Sequence, residues 1–176
     1  RHPLKETDHP APESVYGSTK LAGEQAIQQI LPKKSAILRT AWLFGPWKKN
    51  FITTILQLAR KKKQLTVVAD QCGSPTYTLD LARWSAYIAE KRACGLFHAV
   101  NAGQASWSDF AVKAIELAHI DCTVQPIASS QWPQKAKRPE YSVLSTSKLA
   151  SMLDQSAFSI RPWDEALAEY LSQYHV

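Results

Sequence analysis

The sequence predicts an α/β fold, and three observations carry that expectation. Short apolar runs alternate along the chain with stretches whose apolar residues recur at helical spacing, which is the pattern of strands interleaved with helices. Capping and turn-forming residues mark the joins, among them Gly45-Pro46, Asn50, Thr78, Ser106 and Pro162. The 176 residues are 45% hydrophobic, enough to build a core-forming domain rather than a disordered tail.

Taken in order, residues 21–30 run without proline until Pro32 and place Ile27, Ile30 and Leu31 at helical spacing, so a helix is expected through Tyr16 and Lys20. Residues 35–44 read as a buried strand closed by Gly45-Pro46. Asn50 is placed to cap the amphipathic stretch 51–59, which ends in Arg60-Lys61-Lys62-Lys63, where cations complement the negative end of the helix dipole. A short strand at 65–68 and a loop of turn formers at 71–76 follow. Thr78 is the expected cap of a helix through Glu90 with Leu81, Trp84 and Ile88 on one face, and residues 96–100 are another strand. Ser106-Trp107-Ser108-Asp109 reads as a capping box opening a helix that carries Phe110, Ala114 and Leu117. Residues 122–127 are expected as a strand and 147–153 as a short helix. Pro162 suits the first turn of a terminal helix with Trp163, Ala166, Leu167, Tyr170 and Tyr174 inward.

The net charge of +6 and pI near 9.3 raise nucleic-acid binding as a function. The densest basic run, residues 60–63, has no interleaved aromatic and reads as a solvated helix end, so nucleic acid is not an expected partner. No apolar run reaches membrane-spanning length, and Arg1-His2-Pro3-Leu4-Lys5 is not followed by the apolar core of a signal peptide. Cys72, Cys94 and Cys122 are odd in number and too widely spaced for a chelating pair, which suits reduced thiols in a cytoplasmic protein and no structural metal.

Chemistry concentrates in Tyr16-Gly17-Ser18-Thr19-Lys20. Residues four apart share a helix face, so a phenol and an ammonium are placed together. A neighbouring cation favours the phenolate and brings the phenol toward working range as a proton donor to a carbonyl oxygen. The longer run from Lys5-Glu6-Thr7-Asp8 through Pro10-Ala11-Pro12 to Leu21-Ala22-Gly23-Glu24 resembles the extended short-chain dehydrogenase/reductases of the sugar-nucleotide branch. Leu38-Arg39-Thr40-Ala41-Trp42-Leu43-Phe44-Gly45, Asn50-Phe51, Asp70-Gln71-Cys72-Gly73-Ser74-Pro75-Thr76-Tyr77, Gly95-Leu96-Phe97-His98, Ser106-Trp107 and Ala136-Lys137-Arg138-Pro139-Glu140-Tyr141-Ser142 are similar, in the same order, to the dTDP-4-dehydrorhamnose reductase family within that branch.

The resemblance implies the C-terminal part of a Rossmann-like doubly wound sheet plus a smaller mixed α/β substrate-binding lobe. It assigns residues 1–45 to the dinucleotide-binding domain and 46–176 mainly to the substrate lobe, with the strand near 96–100 returning to the Rossmann sheet. None of the six glycines forms a G-x-G-x-x-G turn, so the pyrophosphate cradle and the Ser/Thr that helps polarise the carbonyl are expected upstream of Arg1, and this chain alone is expected to be inactive. Family roles carried over are Tyr16 as acid and Lys20 as the residue that binds the nicotinamide ribose of NADPH or NADH and tunes the phenol. Trp42 packs against the deoxysugar, and Asn50, Gln71, Ser74, Thr76, Arg138 and Ser142 line the cleft for a dTDP-linked deoxysugar, with Lys135, Lys137 and Arg138 as a positive rim. The implied reaction turns dTDP-4-dehydro-L-rhamnose into dTDP-L-rhamnose, in a protein expected to be a homo-oligomer. Two other readings stand beside it: a nucleotide-sugar epimerase or dehydratase, which would keep Tyr16 and Lys20, and a silent binding module, which would have no need of both.

Read without the family, Trp42 has a lesser alternative as a core aromatic at a lobe junction, while His98 reads as a core or edge histidine, Asp109 as a cap, and Glu24 as a solvated helix residue or an oligomer contact.

Overall fold

The computed structural model describes residues 2–133, 138–153 and 158–174. Helix α1, Val15–Ile30, starts at Ser14, whose hydroxyl accepts from the Gly17 N–H, and none of its residues is buried. Ile27, Ile30 and Leu31 keep their helical spacing but lie on the surface.

The strand expected at 35–44 is two pieces, β1, Ala36–Arg39, and β2, Leu43–Phe44. Trp42 breaks it with φ +44, a left-handed conformation that a bulky residue enters only when its surroundings hold it. Strand β1 pairs in parallel with β6, Gly95–His98, in the register Ala36 to Gly95 and Arg39 to His98. Strand β2 pairs in parallel with β5, Thr76–Tyr77.

Helix α2, Phe51–Ala59, opens on the Asn50 cap in a reciprocal box with Thr53, and β3, Gln64–Val68, pairs in parallel with β8, Thr123–Ile127. The expected loop at 71–76 holds backbone pairing: β4, Cys72–Gly73, runs antiparallel to β7, Ala105–Ser106. Helix α3, Thr78–Glu90, is entered from Tyr77 without a side-chain cap. Thr78 sits inside the first turn with its side chain against Gly45, where a β-carbon would stand 1.9 Å from the Thr78 Oγ1, so its hydroxyl is not spent on capping.

Helix α4, Trp107–Leu117, has the expected Ser106–Asp109 box; α5 is only Ser147–Ala150, and α6, Trp163–Tyr174, begins one residue after Pro162. Leu117 and Trp163 are partly buried, and Tyr174 is exposed.

Two cores result. One gathers Phe44, Leu56, Tyr77, Phe110, Leu167 and Tyr170 between α2, α4 and α6; the other gathers Trp84, Ile88, Phe97 and Leu149 between α3, α5 and β6. The buried Asp80 carboxylate joins elements across this frame. It accepts from Arg161 Nε at 2.8 Å and Nη2 at 2.9 Å and from Asn101 Nδ2 at 2.8 Å, and Asn101 Oδ1 accepts from the Tyr77 N–H. Burial opposes the Arg161 charge, yet Asp80 and Glu169 outweigh it and hold its pKa above the usual arginine value. Among the described residues no helix is long and apolar enough to cross a membrane.

Candidate active site

Two places carry the chemistry. The first is the outer face of α1, where Tyr16 is 73% exposed and the Lys20 ammonium stands 5.5 Å from the centre of its ring. The helical spacing thus brings phenol and cation together.

The second is a cleft of about 660 Å³ between α2, β3 and the start of α4. Capping boxes build it: Asn50 and Ser106 each fix a helix start, and the first helical residue after each cap is an aromatic, Phe51 and Trp107, with ring centres 4.6 Å apart. Trp42 stacks on Trp107 at 3.6 Å and 9°, and the Arg138 guanidinium carbon lies 5.9 Å from the centre of the same Trp107 ring. Trp132 and Pro133 close the rim. Their segment is pinned by Asp70, whose carboxylate accepts from the Ser129 N–H at 2.9 Å and the Ser129 hydroxyl at 2.9 Å. The Ser129 N–H holds Asp70 below the usual carboxylate range, and the hydroxyl adds to the effect.

The expected site residues separate into three groups. Gln71 and Arg138 line the cleft, and Trp42 supports it from beneath Trp107. Asn50, Ser74, Thr76 and Ser142 are engaged in holding the frame. Asn50 caps α2 while its Nδ2 donates to the Gly45 carbonyl at 2.8 Å; Ser74 Oγ accepts from the Leu144 N–H at 3.1 Å; Thr76 Oγ1 donates to the Ser74 carbonyl; and Ser142 donates to the Cys72 carbonyl. Tyr16 and Lys20 are on α1 and are not among the lining residues. Lys135 and Lys137 lie outside the described residues.

Phe51, Trp107 and Trp132 were not singled out by sequence as cleft walls. For the first two the signal was present, an aromatic directly after a cap; Trp132 had none. Glu24 is not merely solvated: its carboxylate takes a two-pronged pair from Arg39. His98 is a core histidine with only 1% exposure; burial pushes its pKa down, against the pull of Glu6. Asp109 is a cap. Among the described residues no cluster of His, Cys, Asp and Glu is arranged to hold a metal ion.

A largely apolar, aromatic cleft that also carries the Arg138 guanidinium, the Lys62 ammonium and the Gln64 and Gln71 amides suits a ligand that joins a flat ring to an anionic group. The family model of the RmlD substrate binding domain matches residues 1–176. The chain belongs to this RmlD substrate-binding family. Its relatives include the spore coat polysaccharide biosynthesis protein SpsK of Bacillus subtilis, 37% identical over 97% of this chain and 58% of that protein. A crystal structure of a dTDP-4-dehydrorhamnose reductase from Clostridium acetobutylicum superposes with a TM-score of 0.90 at 40% identity, over 98% of this chain and 60% of that one. The Bacillus anthracis dTDP-4-dehydrorhamnose reductase, solved with NADP, matches with a TM-score of 0.85 at 34% identity, over 96% of this chain and 58% of that one. The RmlD-type chain thus spans somewhat over half the length of these relatives, and the α/β fold expected from sequence is the fold they share.

Proposed function

We propose that this RmlD-type chain supplies the sugar-nucleotide cleft and the proton donor of an NAD(P)H-dependent reductase that converts dTDP-4-dehydro-L-rhamnose to dTDP-L-rhamnose. The observation that carries the reading is the cleft itself: Trp42 stacked on Trp107, Phe51 tilted against the same Trp107, Arg138 over that ring and Gln71 in the lining. The aromatic wall takes the base or the deoxysugar face, and Arg138 takes the diphosphate.

When bound, the nicotinamide supplies a hydride to the sugar C4. Tyr16 gives its phenolic proton to the C4 oxygen, and the Lys20 charge favours the phenolate left behind. The exposed pair on α1 fits a cofactor ribose approaching from solvent, with Lys20 as its partner. In this scheme residues 1–45 and the β6 strand belong to the dinucleotide-binding domain and most of 46–176 to the substrate lobe; the parallel pairing of β1 with β6 supports grouping β6 with the first 45 residues. Val15 and Ile30, exposed on α1, support a homo-oligomer, and three free thiols support a cytoplasmic setting.

Calorimetric titration of dTDP into this chain tests the cleft. Arg138→Ala removes a charge-assisted contact and is expected to weaken binding about 10- to 100-fold. Equal affinity in the two proteins would remove the diphosphate role.

A further inference from the structure

We propose that one register position of the β1–β6 ribbon, Arg39 opposite His98, is a two-point clamp that sets the rotation of α1, making Glu24, Arg39, Glu6 and His98 positioning residues for Tyr16 and Lys20. This rests on the reading of Tyr16 and Lys20 just given.

Within this chain helix α1 buries none of its residues, so contacts inside these residues give it little resistance to turning about its axis. What holds its middle is a fork. Arg39 Nε donates to both Glu24 oxygens at 2.9 and 3.1 Å, and Nη2 donates to Oε2 at 2.6 Å, with the two side chains only 24% and 17% exposed. A bidentate guanidinium pair fixes an angle as well as a distance, which a lysine would not do.

Tyr16, Lys20 and Glu24 follow one another at four-residue steps, so each lies about 40° further round the same face. Turning α1 enough to strain the fork therefore turns the phenol with it. A group about 6 Å from the helix axis moves about 1 Å for a 10° rotation, and a 1 Å misplacement of a reacting group costs about a hundredfold in rate.

The second point of the clamp holds the chain entering α1. Leu4 pairs with residues 143–145, its N–H donating to the Val143 carbonyl at 2.8 Å and its carbonyl accepting from the Ser145 N–H at 2.7 Å. The same Leu4 carbonyl lies 3.1 Å from His98 Nδ1, which therefore carries the proton, and the His98 backbone N–H donates to Glu6 Oε1 at 2.9 Å. Arg39 and His98 are cross-strand partners. One rung of the sheet thus grips the chain twelve and ten residues before Tyr16, through Leu4 and Glu6, and eight residues after it, through Glu24.

Arg39→Lys keeps the charge and loses the fork; Glu24→Gln keeps the shape and loses the charge. In this chain, amides of α1 are expected to exchange hydrogen at least tenfold faster in either variant, while those of β3 and α4 keep their rates. In the enzyme carrying this chain, kcat is expected to fall at least tenfold with the sugar-nucleotide KM changed less than twofold. In a Tyr16→Phe background the further loss from Arg39→Lys is expected to shrink below twofold, because both act through the same phenol. Unchanged α1 exchange overturns the clamp, as does loss of protection that spreads equally to β3 and α4, or a full further loss in the Tyr16→Phe background. If Tyr16→Phe alone keeps its activity, the proton-donor reading fails instead, and the exchange result still decides whether the rung holds α1.

Discussion

Replacing Gly73 by alanine asks whether Trp42 is truly wedged between a backbone and a ring. An alanine β-carbon at 73 would stand 2.5 to 2.7 Å from three atoms of the Trp42 indole, about 0.7–0.9 Å inside the 3.4 Å at which ordinary contact begins. Trp42, though only partly buried, is held at its ring and at its backbone. Its ring is stacked on Trp107 at 3.6 Å, its carbonyl accepts from the Thr76 N–H at 3.1 Å, and its backbone is already at φ +44. Overpacking of this kind costs about 1–3 kcal/mol, and losing the indole stack adds ~0.5–1.5 kcal/mol. The melting temperature should therefore fall by about 5–15 °C. Because the stack is the cleft wall, the near-ultraviolet circular dichroism of the tryptophans should also change and dTDP affinity should drop. Gly23→Ala is the matched control: nothing lies within 4 Å of its β-carbon in the middle of α1, so stability should hold or rise by up to ~1 kcal/mol. A Gly73→Ala protein that melts with the parent and keeps its tryptophan spectrum would refute the wedge.

Asp80→Ala leaves Arg161 without its main partner, and denaturant melts should show a loss near the lower end of the roughly 3–5 kcal/mol typical of a broken buried pair, since Arg161 keeps Glu169. His98 is buried with its pKa lowered, between Glu6, which raises it, and Arg39, which lowers it further. The unfolded chain therefore takes up a proton first on acidification. The stability this histidine contributes is complete above its unfolded pKa, near 6.5, and is lost as pH falls through its folded value. Melts across this range should show the parent losing more stability with acid than His98→Asn. Ser106→Ala removes the α4 cap and should cost about 0.5–2 kcal/mol in the same assay.

The alternation of elements and most helix starts were legible because local chemistry decides them: Asn50 and Ser106 cap where their sequence context says they should. The break at Trp42 was not legible, since a left-handed tryptophan is imposed by Gly73 and Trp107, distant in sequence and meeting only in the fold. Thr78 misled for a similar reason, its side chain being taken by the close approach of Gly45. At the site, the Tyr16–Lys20 pairing followed from helix periodicity alone. The division of polar loop residues between the cleft and the frame did not, because Ser74 and Gln71 have the same loop chemistry and only the path of residues 140–144 beside β4 decides which faces a backbone and which a cavity.

The proposed reaction depends above all on Tyr16 delivering the proton to the sugar C4 oxygen. The most direct measurement is the steady-state reduction of dTDP-4-dehydrorhamnose by the enzyme carrying this chain, compared with its Tyr16→Phe variant, together with the cofactor dissociation constant of each. With Tyr16 as the donor, kcat is expected to fall about a hundredfold or more with cofactor affinity nearly unchanged. Near-full turnover by the phenylalanine variant would contradict it.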